Sequence, residues 1–362
     1  MLMTRRGIVG LSDDLRAQRD FLAERAPVYG RLLELLGDRL EGELGRRLAS
    51  AWAEREFVAF YDRPLLLLAS LRDDALREGS SHPLYAALVE DPPRVEAVTE
   101  GALAAATTEE RELLWRTVAR RWVQTNETSR AIAWLWPAHL MSEAGVERPL
   151  ALVDLGASAG LNLVADALPP MWSDETGEPI PLSPRPPVAS RAGLDLAPLD
   201  VREEDDARWL RACVWPGDTA RLERLELGIA AFHAEAARSG ALALEAGPLT
   251  AAVEHLRRAP DDTTVLAVQT IVRDYLPARD RERYERSMRA WLVERPPLSS
   301  LWCELEVEDP SAPPERSAAL TVHLRGRDGA LSDVVIARCH PHPRRLWRDL
   351  DGLGALRRCF HP

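Results

Sequence analysis

The 362-residue chain contains no lysine, so all 46 of its basic residues are arginines. This absence excludes enzymes that depend on a Schiff-base lysine, a P-loop lysine or the lysine of protein kinases. Four cysteines are too few for a disulfide framework in a chain of this length. No window approaches the roughly 18 consecutive apolar residues of a membrane span. We therefore expect a soluble, reduced, cytoplasmic protein.

The charge of the chain limits its partners. The net charge is −11 at pH 7, so the chain lacks the basic surface that nucleic-acid binding requires. Hydrophobic residues make up 46% and charged residues 28%, which is ordinary for a folded globular protein. At about 150 residues per domain, the length predicts two domains. We expect no nucleic-acid or membrane partner, and a homodimer is compatible with the sequence.

Amide side chains are almost absent. Asparagine occurs only at Asn126 and Asn162, and glutamine only at Gln18, Gln124 and Gln269. Four of these five lie in segments whose other residues also suggest a binding site. The scarcity makes each of the four a candidate for a specific polar role.

The first part of the chain, residues 1–147, predicts an all-α domain. Ser12 is a candidate cap for a helix that runs to about Ala26, where Pro27 stops it. Apolar residues then recur at helical spacing, and no alternating run of strand length is present. We expect this domain to cover the substrate site.

A second helical segment is predicted from Thr107 to Glu143. Thr107 and Glu110 form a capping-box pattern at its start, and Pro137 should kink or end it. Late in this segment comes a polar stretch whose Ser, Thr and Asn residues weaken a helix interior. A purely solvated face would also explain such a stretch. The interpretation that we favour is a substrate-binding patch of Gln124, Asn126, Glu127 and Arg130.

The remainder, residues 148–362, predicts an α/β domain. An apolar run at 150–153 is typical of a strand that is covered on both faces. Further strands alternate with helical stretches, which indicates a mainly parallel sheet, and a turn at 325–329 predicts a closing antiparallel hairpin. A proline-rich insertion occupies residues 169–187. The later candidate strands are 188–196, 241–245, 264–268, 300–307, 320–325 and 333–337.

A glycine-containing loop follows the first of these strands. Its pattern places an acid, two glycines, a serine and an asparagine at alternate positions: Asp154, Gly156, Ser158, Gly160 and Asn162. Glycine lets the backbone turn sharply and approach a ligand, and the helix that follows offers unpaired N–H groups.

Three enzymatic interpretations of this loop compete. Residues 156–160 satisfy the G-x-S-x-G pattern of a serine hydrolase, although the strands that precede a hydrolase nucleophile are missing. A dinucleotide fold requires a different glycine spacing, and Asp154 would repel a pyrophosphate. The third is S-adenosylmethionine (SAM) in the class I methyltransferase arrangement, because its ammonium and sulfonium groups favour a carboxylate. In that arrangement Asp195, at the end of the second strand, would hold the ribose hydroxyls.

Five segments carry motifs that are specific in combination: 154–163, 193–200, 207–216, 124–127 and 275–277. Through them the chain resembles a bacterial family of unknown function over nearly its whole length. The resemblance implies the class I methyltransferase-like fold, a Rossmann-like sheet, and SAM as the cofactor. Members of the family tend to carry a Gly-Asp pair after the third strand, where this chain has residues 244–249, so Glu245 is the candidate to meet adenine.

The acceptor side is expected at the end of the fourth strand of the sheet. Gln269, Asp274 and Tyr275 are the candidate catalytic residues, since groups at this edge normally face the transferring methyl. The alternative is that Tyr275 packs and Asp274 is solvated. Cysteine and histidine recur between Cys339 and His361, but we expect this tail to pack rather than bind metal.

The sequence therefore predicts a methyltransferase that uses SAM to methylate an oxygen or nitrogen of a small molecule. Two alternatives remain open. The first is a ligand-binding regulatory protein that keeps the pocket without turnover, and the second is a serine hydrolase that uses Ser158.

Overall fold

The computed structural model describes residues 5–239 and 242–361. It forms two compact units. The first contains the described residues up to Thr125 together with Val201–Arg224, and the second contains Asn126–Asp200 and the residues from Leu225 onward. This division differs from the predicted boundary at 147/148. Residues 126–147 belong with the sheet because the helix within them packs against its strands.

Thirteen α-helices occur in the described residues. They are α1 (Leu11–Leu22), α2 (Pro27–Gly37), α3 (Glu43–Ala51), α4 (Asp62–Glu78), α5 (Tyr85–Leu88), α6 (Glu100–Ala106), α7 (Glu112–Arg120), α8 (Ile132–Glu143), α9 (Glu204–Cys213), α10 (Thr219–Ser239), α11 (Ala252–Leu256), α12 (Ala278–Glu294) and α13 (Leu350–Phe360).

The first unit is mainly helical, with one small addition. Two-residue strands β1 (Arg5–Arg6) and β2 (Glu56–Phe57) pair antiparallel. Helix α1 begins after Gly10, whose φ of +70° lies in the left-handed region, so Ser12 is not its cap. The helix also ends at Leu22, before the predicted Ala26.

The helical segment predicted from Thr107 to Glu143 is divided. Thr107 follows the last turn of α6, and its hydroxyl binds the Leu103 carbonyl at 2.8 Å, so the predicted capping box does not form. Residues 121–127 are irregular between α7 and a single 3₁₀ turn at Thr128–Ala131. Pro137 lies inside α8 and does not end it.

The second unit contains a nine-stranded mixed sheet, which confirms the predicted α/β class. Its strands are β3 (Leu150–Leu155), β4 (Ser173–Asp174), β5 (Val188–Asp195), β6 (Leu242–Ala246), β7 (Thr264–Thr270), β8 (Ser300–Val307), β9 (Ala318–Arg325), β10 (Leu331–Cys339) and β11 (Arg345–Arg348). The order across the sheet is β4-β11-β10-β9-β8-β7-β3-β5-β6.

Strand direction divides this sheet into two parts. Strands β6, β5, β3, β7 and β8 are parallel, and β9, β10 and β11 continue antiparallel. The predicted closing hairpin is present as β9 and β10, whereas β4 and β11 were not predicted. Because β10 is two antiparallel steps from β8, it runs in the same direction as β8.

Helices cover both faces of the sheet. One apolar core lies between the sheet and α8 and α13, with Leu152 and Val268 among its residues. The other lies against α11 and α12 and includes Val153 and Trp302. Strand β3 is buried along its whole length, as its continuous apolar run predicts. Among the described residues, no helix has both the length and the apolar character that a bilayer crossing requires.

Candidate functional site

The carboxyl end of β3 lies where the strand order reverses. From β3 the chain continues to β5 and β6 on one side and later to β7 and β8 on the other. In open α/β sheets the crevice outside the carboxyl ends of the strands at such a point binds ligands. Asp154 occupies the next-to-last position of β3, and the glycine loop follows directly.

The glycine loop turns back against β5 through backbone hydrogen bonds. The N–H groups of Gly156 and Ala157 donate to the Leu194 carbonyl at 2.8 and 3.2 Å. Gly156, Ser158 and Gly160 have φ values of +86°, +52° and +72°, in the left-handed region. A glycine suits such a position because it has no Cβ to collide with the backbone. Gly160 leads into the 3₁₀ turn Leu161–Ala167.

Close packing gives a second reason for glycine in this loop. A Cβ on Gly156 would lie 2.7 Å from Cγ2 of Val272, in the segment after β7. A Cβ on Gly160 would lie 2.8 Å from Cδ2 of Leu244 on β6. The loop therefore contacts the elements on both sides of β3, and a side chain at either position would displace them.

Asp195 holds the loop from the end of β5. Its Oδ2 accepts the Ser158 N–H at 2.8 Å, and its Oδ1 accepts the Ala197 N–H at 2.9 Å. Each carboxylate oxygen retains a second lone pair. The side chain can therefore fix the loop and still accept hydrogen bonds from ligand hydroxyls.

Asp154 is the unusual acid of this site. It is 1% exposed, and its Oδ2 has no hydrogen-bond donor among the described residues. Burial, followed by the nearby charge of Asp195, raises its pKa to about 7, although Arg130 acts in the opposite direction. A buried carboxylate without a donor costs free energy. A cationic ligand would remove this cost.

Other buried polar atoms near the loop also lack partners. Asn162 Oδ1, Thr128 Oγ1 and Ser129 Oγ have no hydrogen-bond partner among the described residues. The turns that carry them, Thr128–Ala131 and Leu161–Ala167, pack against each other. Because buried polar atoms are nearly always hydrogen-bonded, this set indicates a bound ligand or ordered water.

The polar stretch predicted to bind substrate contacts the loop through Asn126. Its Nδ2 donates to Ser158 Oγ at 2.5 Å, and its Oδ1 accepts the Ala159 N–H at 3.3 Å. Glu127 and Arg130 are 2% and 7% exposed in the same segment. Gln124 instead belongs to the first unit, where its backbone contacts the Cys213 thiol. The stretch is irregular backbone up to residue 127 and a 3₁₀ turn from residue 128, not the predicted α-helix.

The structure does not bring the predicted catalytic residues together. Gln269 is 1% exposed, and its Oε1 accepts bonds from Tyr284 Oη and from Trp302 Nε1. Its side chain lies on the α12 face of the sheet, whereas Asp154 lies on the opposite face with Val268. Gln269 is therefore a core residue. Asp274 and Tyr275 are exposed after β7.

Glu245 also lies away from the loop. Its Oε2 is 2.7 Å from Nη1 of Arg258 and 3.4 Å from Nδ1 of His255, and Arg258 lowers its pKa. The preceding residue, Leu244, is the one that faces Gly160. Because side chains alternate along a strand, Glu245 points to the other face and does not meet a ligand at the loop.

The family described as "Uncharacterized protein conserved in bacteria (DUF2332)" matches residues 13–348. The chain belongs to this family. The match confirms the bacterial family of unknown function that the motifs predicted, and the family description assigns no activity. No functionally curated protein matches the chain in sequence.

In this family member, the sequence interpretation missed a buried acid that supports the loop. Glu306 is 3% exposed and accepts N–H bonds from Val272 at 3.0 Å and Arg273 at 3.3 Å. Burial raises its pKa to about 7. Through its hydrogen bonds to the Val272 and Arg273 N–H groups, Glu306 holds Val272 against Gly156. The residue before Val272, Ile271, has a φ of +53°. The available signal was the pair of acids, Glu304 and Glu306, within an otherwise apolar strand.

Two clusters of metal-ligand residue types have other partners. In the first unit, Asp74, Glu78 and His82 lie within 4.8 Å of one another. The guanidinium of Arg111 is 2.7 Å from Asp74 and 2.6 Å from Glu78, so it supplies the positive charge there. Near the carboxyl end of β10, the His342 N–H donates to His340 Nδ1 at 2.9 Å.

Proposed function

We propose that the chain binds SAM at the carboxyl end of β3 and transfers its methyl group to an oxygen or nitrogen of a small molecule. One observation carries the proposal. The Asp154 carboxylate is buried at the point where the strand order reverses, and its Oδ2 has no donor among the described residues. A buried carboxylate oxygen of this kind favours a positively charged ligand that donates a hydrogen bond to it.

The residues around the loop fit SAM in charge and hydrogen bonding. Asp154 Oδ2 and Asn162 Oδ1 are acceptors that lack donors among the described residues, which suits an ammonium group. Asp195 retains lone pairs for the ribose hydroxyls. A dinucleotide fits poorly, because its pyrophosphate would meet the Asp154 carboxylate beside the loop. Adenine would rest on apolar and backbone groups, since Glu245 faces away.

The fold supports the same proposal. The parallel strands follow the order β6-β5-β3-β7-β8, with antiparallel strands completing the sheet beyond β8. This arrangement is compatible with the class I methyltransferase fold that the family resemblance implies. SAM would supply an activated methyl group, so the chain needs chiefly to align an acceptor with it and exclude water. Asn126 lies beside the loop and can orient such an acceptor.

Isothermal titration calorimetry with SAM tests the proposal. Binding should favour the ionised form of Asp154, so the affinity should fall nearly tenfold per pH unit below about pH 7. Asp154→Asn should lose at least about 1.5 kcal/mol of binding free energy, about tenfold in affinity. The control is Asp261→Asn, which removes a fully exposed acid of the same unit and should bind like the wild type. Absence of binding by the wild type overturns the proposal.

A serine hydrolase is a second candidate that one observation favours. Ser158 has a φ of +52°, and hydrolases also place their nucleophile on a strained turn after a strand. A fluorophosphonate probe with mass spectrometry separates the two. Labelling of Ser158 would support the hydrolase, and an unlabelled serine together with SAM binding would support the methyltransferase. A regulatory protein would bind SAM without producing S-adenosylhomocysteine.

A further inference from the structure

A histidine faces a buried carboxylate close to the candidate SAM site. His342 Nδ1 lies 3.6 Å from Glu127 Oε2. The Glu127 side chain is 2% exposed and the His342 side chain is 36% exposed. A partly exposed imidazole within ion-pair distance of a buried carboxylate is an arrangement that can orient a histidine for proton transfer.

Both members of this pair are fixed by further contacts. Glu127 Oε1 accepts the Ser129 N–H at 3.2 Å, at the start of the 3₁₀ turn. Arg130 Nε donates to the Pro341 carbonyl at 3.0 Å, which ties the same turn to the segment containing His342. The His342 N–H in turn binds His340 Nδ1. Glu127 thus lies within ion-pair distance of His342, and Arg130 binds the carbonyl of the preceding residue. His340 lies beside His342, and Glu315, Arg130 and Glu127 all act on its pKa.

The fold places the pair at the ligand-binding edge of the sheet. Strand β10 runs in the same direction as β3 and β8, so the segment after Cys339 leaves the sheet at its carboxyl edge. Asn126, adjacent to Glu127, binds Ser158 and Ala159 of the glycine loop. Arg130 is close enough to Asp154 to affect its pKa. The pair and the loop thus lie at the same edge of the sheet.

We infer that His342, oriented by Glu127, accepts the proton of the acceptor substrate during methyl transfer. The inference rests on the proposed function and narrows the acceptor to a hydroxyl, phenol or protonated nitrogen that must lose a proton. Nδ1 faces the carboxylate, and Nε2, on the opposite side of the ring, takes the proton.

The O–H or N–H bond of the acceptor breaks and its proton passes to His342 Nε2. The electron pair released forms the new bond to the methyl carbon. The carbon–sulfur bond breaks with its electron pair remaining on sulfur, which leaves a neutral thioether.

NMR of protein labelled with ¹³C,¹⁵N-histidine tests the inference without an acceptor. His342→Gln assigns the resonance. Glu127→Gln should lower the pKa of His342 by about one unit, since a neighbouring carboxylate favours the charged imidazole. The control Glu254→Gln, which removes a carboxylate that is 78% exposed on α11, should leave it unchanged. An unchanged pKa in Glu127→Gln overturns the inference.

Titration of the same sample with SAM provides the second readout. Saturation should shift the His342 resonances and leave those of His361, at the exposed end of the chain, in place. If SAM binds without affecting His342, the inference fails and the proposed function stands. If SAM does not bind, the proposed function fails, whereas the coupling of His342 to Glu127 is still measured.

Activity gives a third readout. On an acceptor that the wild type methylates, His342→Ala should lose about 10²–10⁴-fold in kcat, the usual contribution of a general base, with SAM affinity unchanged. Full retention of kcat would overturn the inference.

Discussion

The Asp154 side chain shows how a binding group can destabilise the protein that carries it. Its carboxyl is buried, and the same burial that raises its pKa to about 7 leaves Oδ2 without a donor among the described residues. The ordinary pKa of the group is 3.8. Between these two pH values the folded protein keeps a proton that the unfolded chain releases. The contribution of Asp154 to the free energy of unfolding therefore falls as the pH rises from about 4 to 7, and it is constant above pH 7.

Replacement of this carboxyl by an amide should remove the pH dependence. At pH 8, Asp154→Asn should raise the free energy of unfolding of the unliganded protein by up to about 4 kcal/mol, the equivalent of three pKa units. At pH 5 the increase in the free energy of unfolding should be at most about half of that at pH 8. The reason is that the wild-type Asp154 side chain is still protonated in the folded state at pH 5. Urea unfolding at both pH values measures the difference. An equal effect at pH 5 and pH 8 would contradict the assignment of charge to Asp154.

Gly156 combines an unusual backbone angle with a close contact. Its φ is +86°, and an added Cβ would lie 2.7 Å from Val272. Gly156→Ala should therefore destabilise the protein by about 2–4 kcal/mol, the sum of backbone strain and overpacking. Gly177→Ala is the matched control: its φ is +95°, and an added Cβ would meet no heavy atom within 4 Å beyond its chain neighbours. It should cost only about 1–2 kcal/mol.

Comparison of the two alanine variants by urea unfolding separates the cost of backbone strain from the cost of overpacking against Val272. The additional loss in Gly156→Ala should be recovered in part by Val272→Ala in the double variant, because the smaller side chain relieves the contact. Equal losses in the two glycine variants would show that Val272 moves aside without cost.

At the scale of elements, the segment between β7 and α12 depends on an acid from the neighbouring strand. Glu306 on β8 accepts the Gln269 amide and the backbone N–H groups of Val272 and Arg273. Glu306→Ala would leave these donors buried without an acceptor, and each such group costs about 1–3 kcal/mol. We expect a loss of about 2–4 kcal/mol in urea unfolding.

Glu308→Ala is the control for this element. Glu308 is two residues further along the chain, and its carboxylate makes a partly exposed ion pair with Arg338 at 3.3 Å. Such pairs contribute about 0–1 kcal/mol, so the loss should be small. If the two variants lose the same stability, Glu306 does not hold the segment.

Local sequence patterns located the strands better than the helices. The apolar runs of β3, β7 and β8 identified buried strands, because a strand covered on both faces favours apolar residues at successive positions. The helix predicted from Thr107 was wrong in its middle. Its residues 121–127 take irregular backbone, and Asn126 there binds the glycine loop. This contact is between residues distant in sequence, and no local pattern reports it.

At the scale of the whole molecule, SAM should protect a limited set of segments. Ligand at 100 times its Kd stabilises the state that binds it by about 2.7 kcal/mol. Hydrogen exchange measured by mass spectrometry should show the greatest slowing in peptides covering 126–131, 154–163 and 193–199, which carry the candidate site. Slowing confined to the first unit would contradict the site. At the same SAM concentration Asp154→Asn, with its lower affinity, should show weaker slowing of the same peptides.

The family and the general architecture could be predicted from the sequence because both show as patterns of neighbouring residues. The glycine loop, its two acids and the alternation of strands with helices are patterns of neighbouring residues, and the family match over residues 13–348 agrees with them. The shape of the second unit was predicted only in outline. Strands β4 and β11 are short, and β4 lies within the proline-rich insertion and pairs with β11 from a distant part of the chain, so nothing nearby in sequence marks them.

The sequence by itself determined that a glycine loop follows the buried strand β3 and that an acid lies at the end of that strand. Both features are patterns of neighbouring residues, so they can be recognised without the fold. Only the tertiary structure decided which face each side chain joins. A shift of one position turned Gln269 and Glu245 away from the loop, because successive side chains of a strand point to opposite faces. It also decided that Asp154 has no donor among the described residues and that His342 meets Glu127, since both depend on segments brought together by folding.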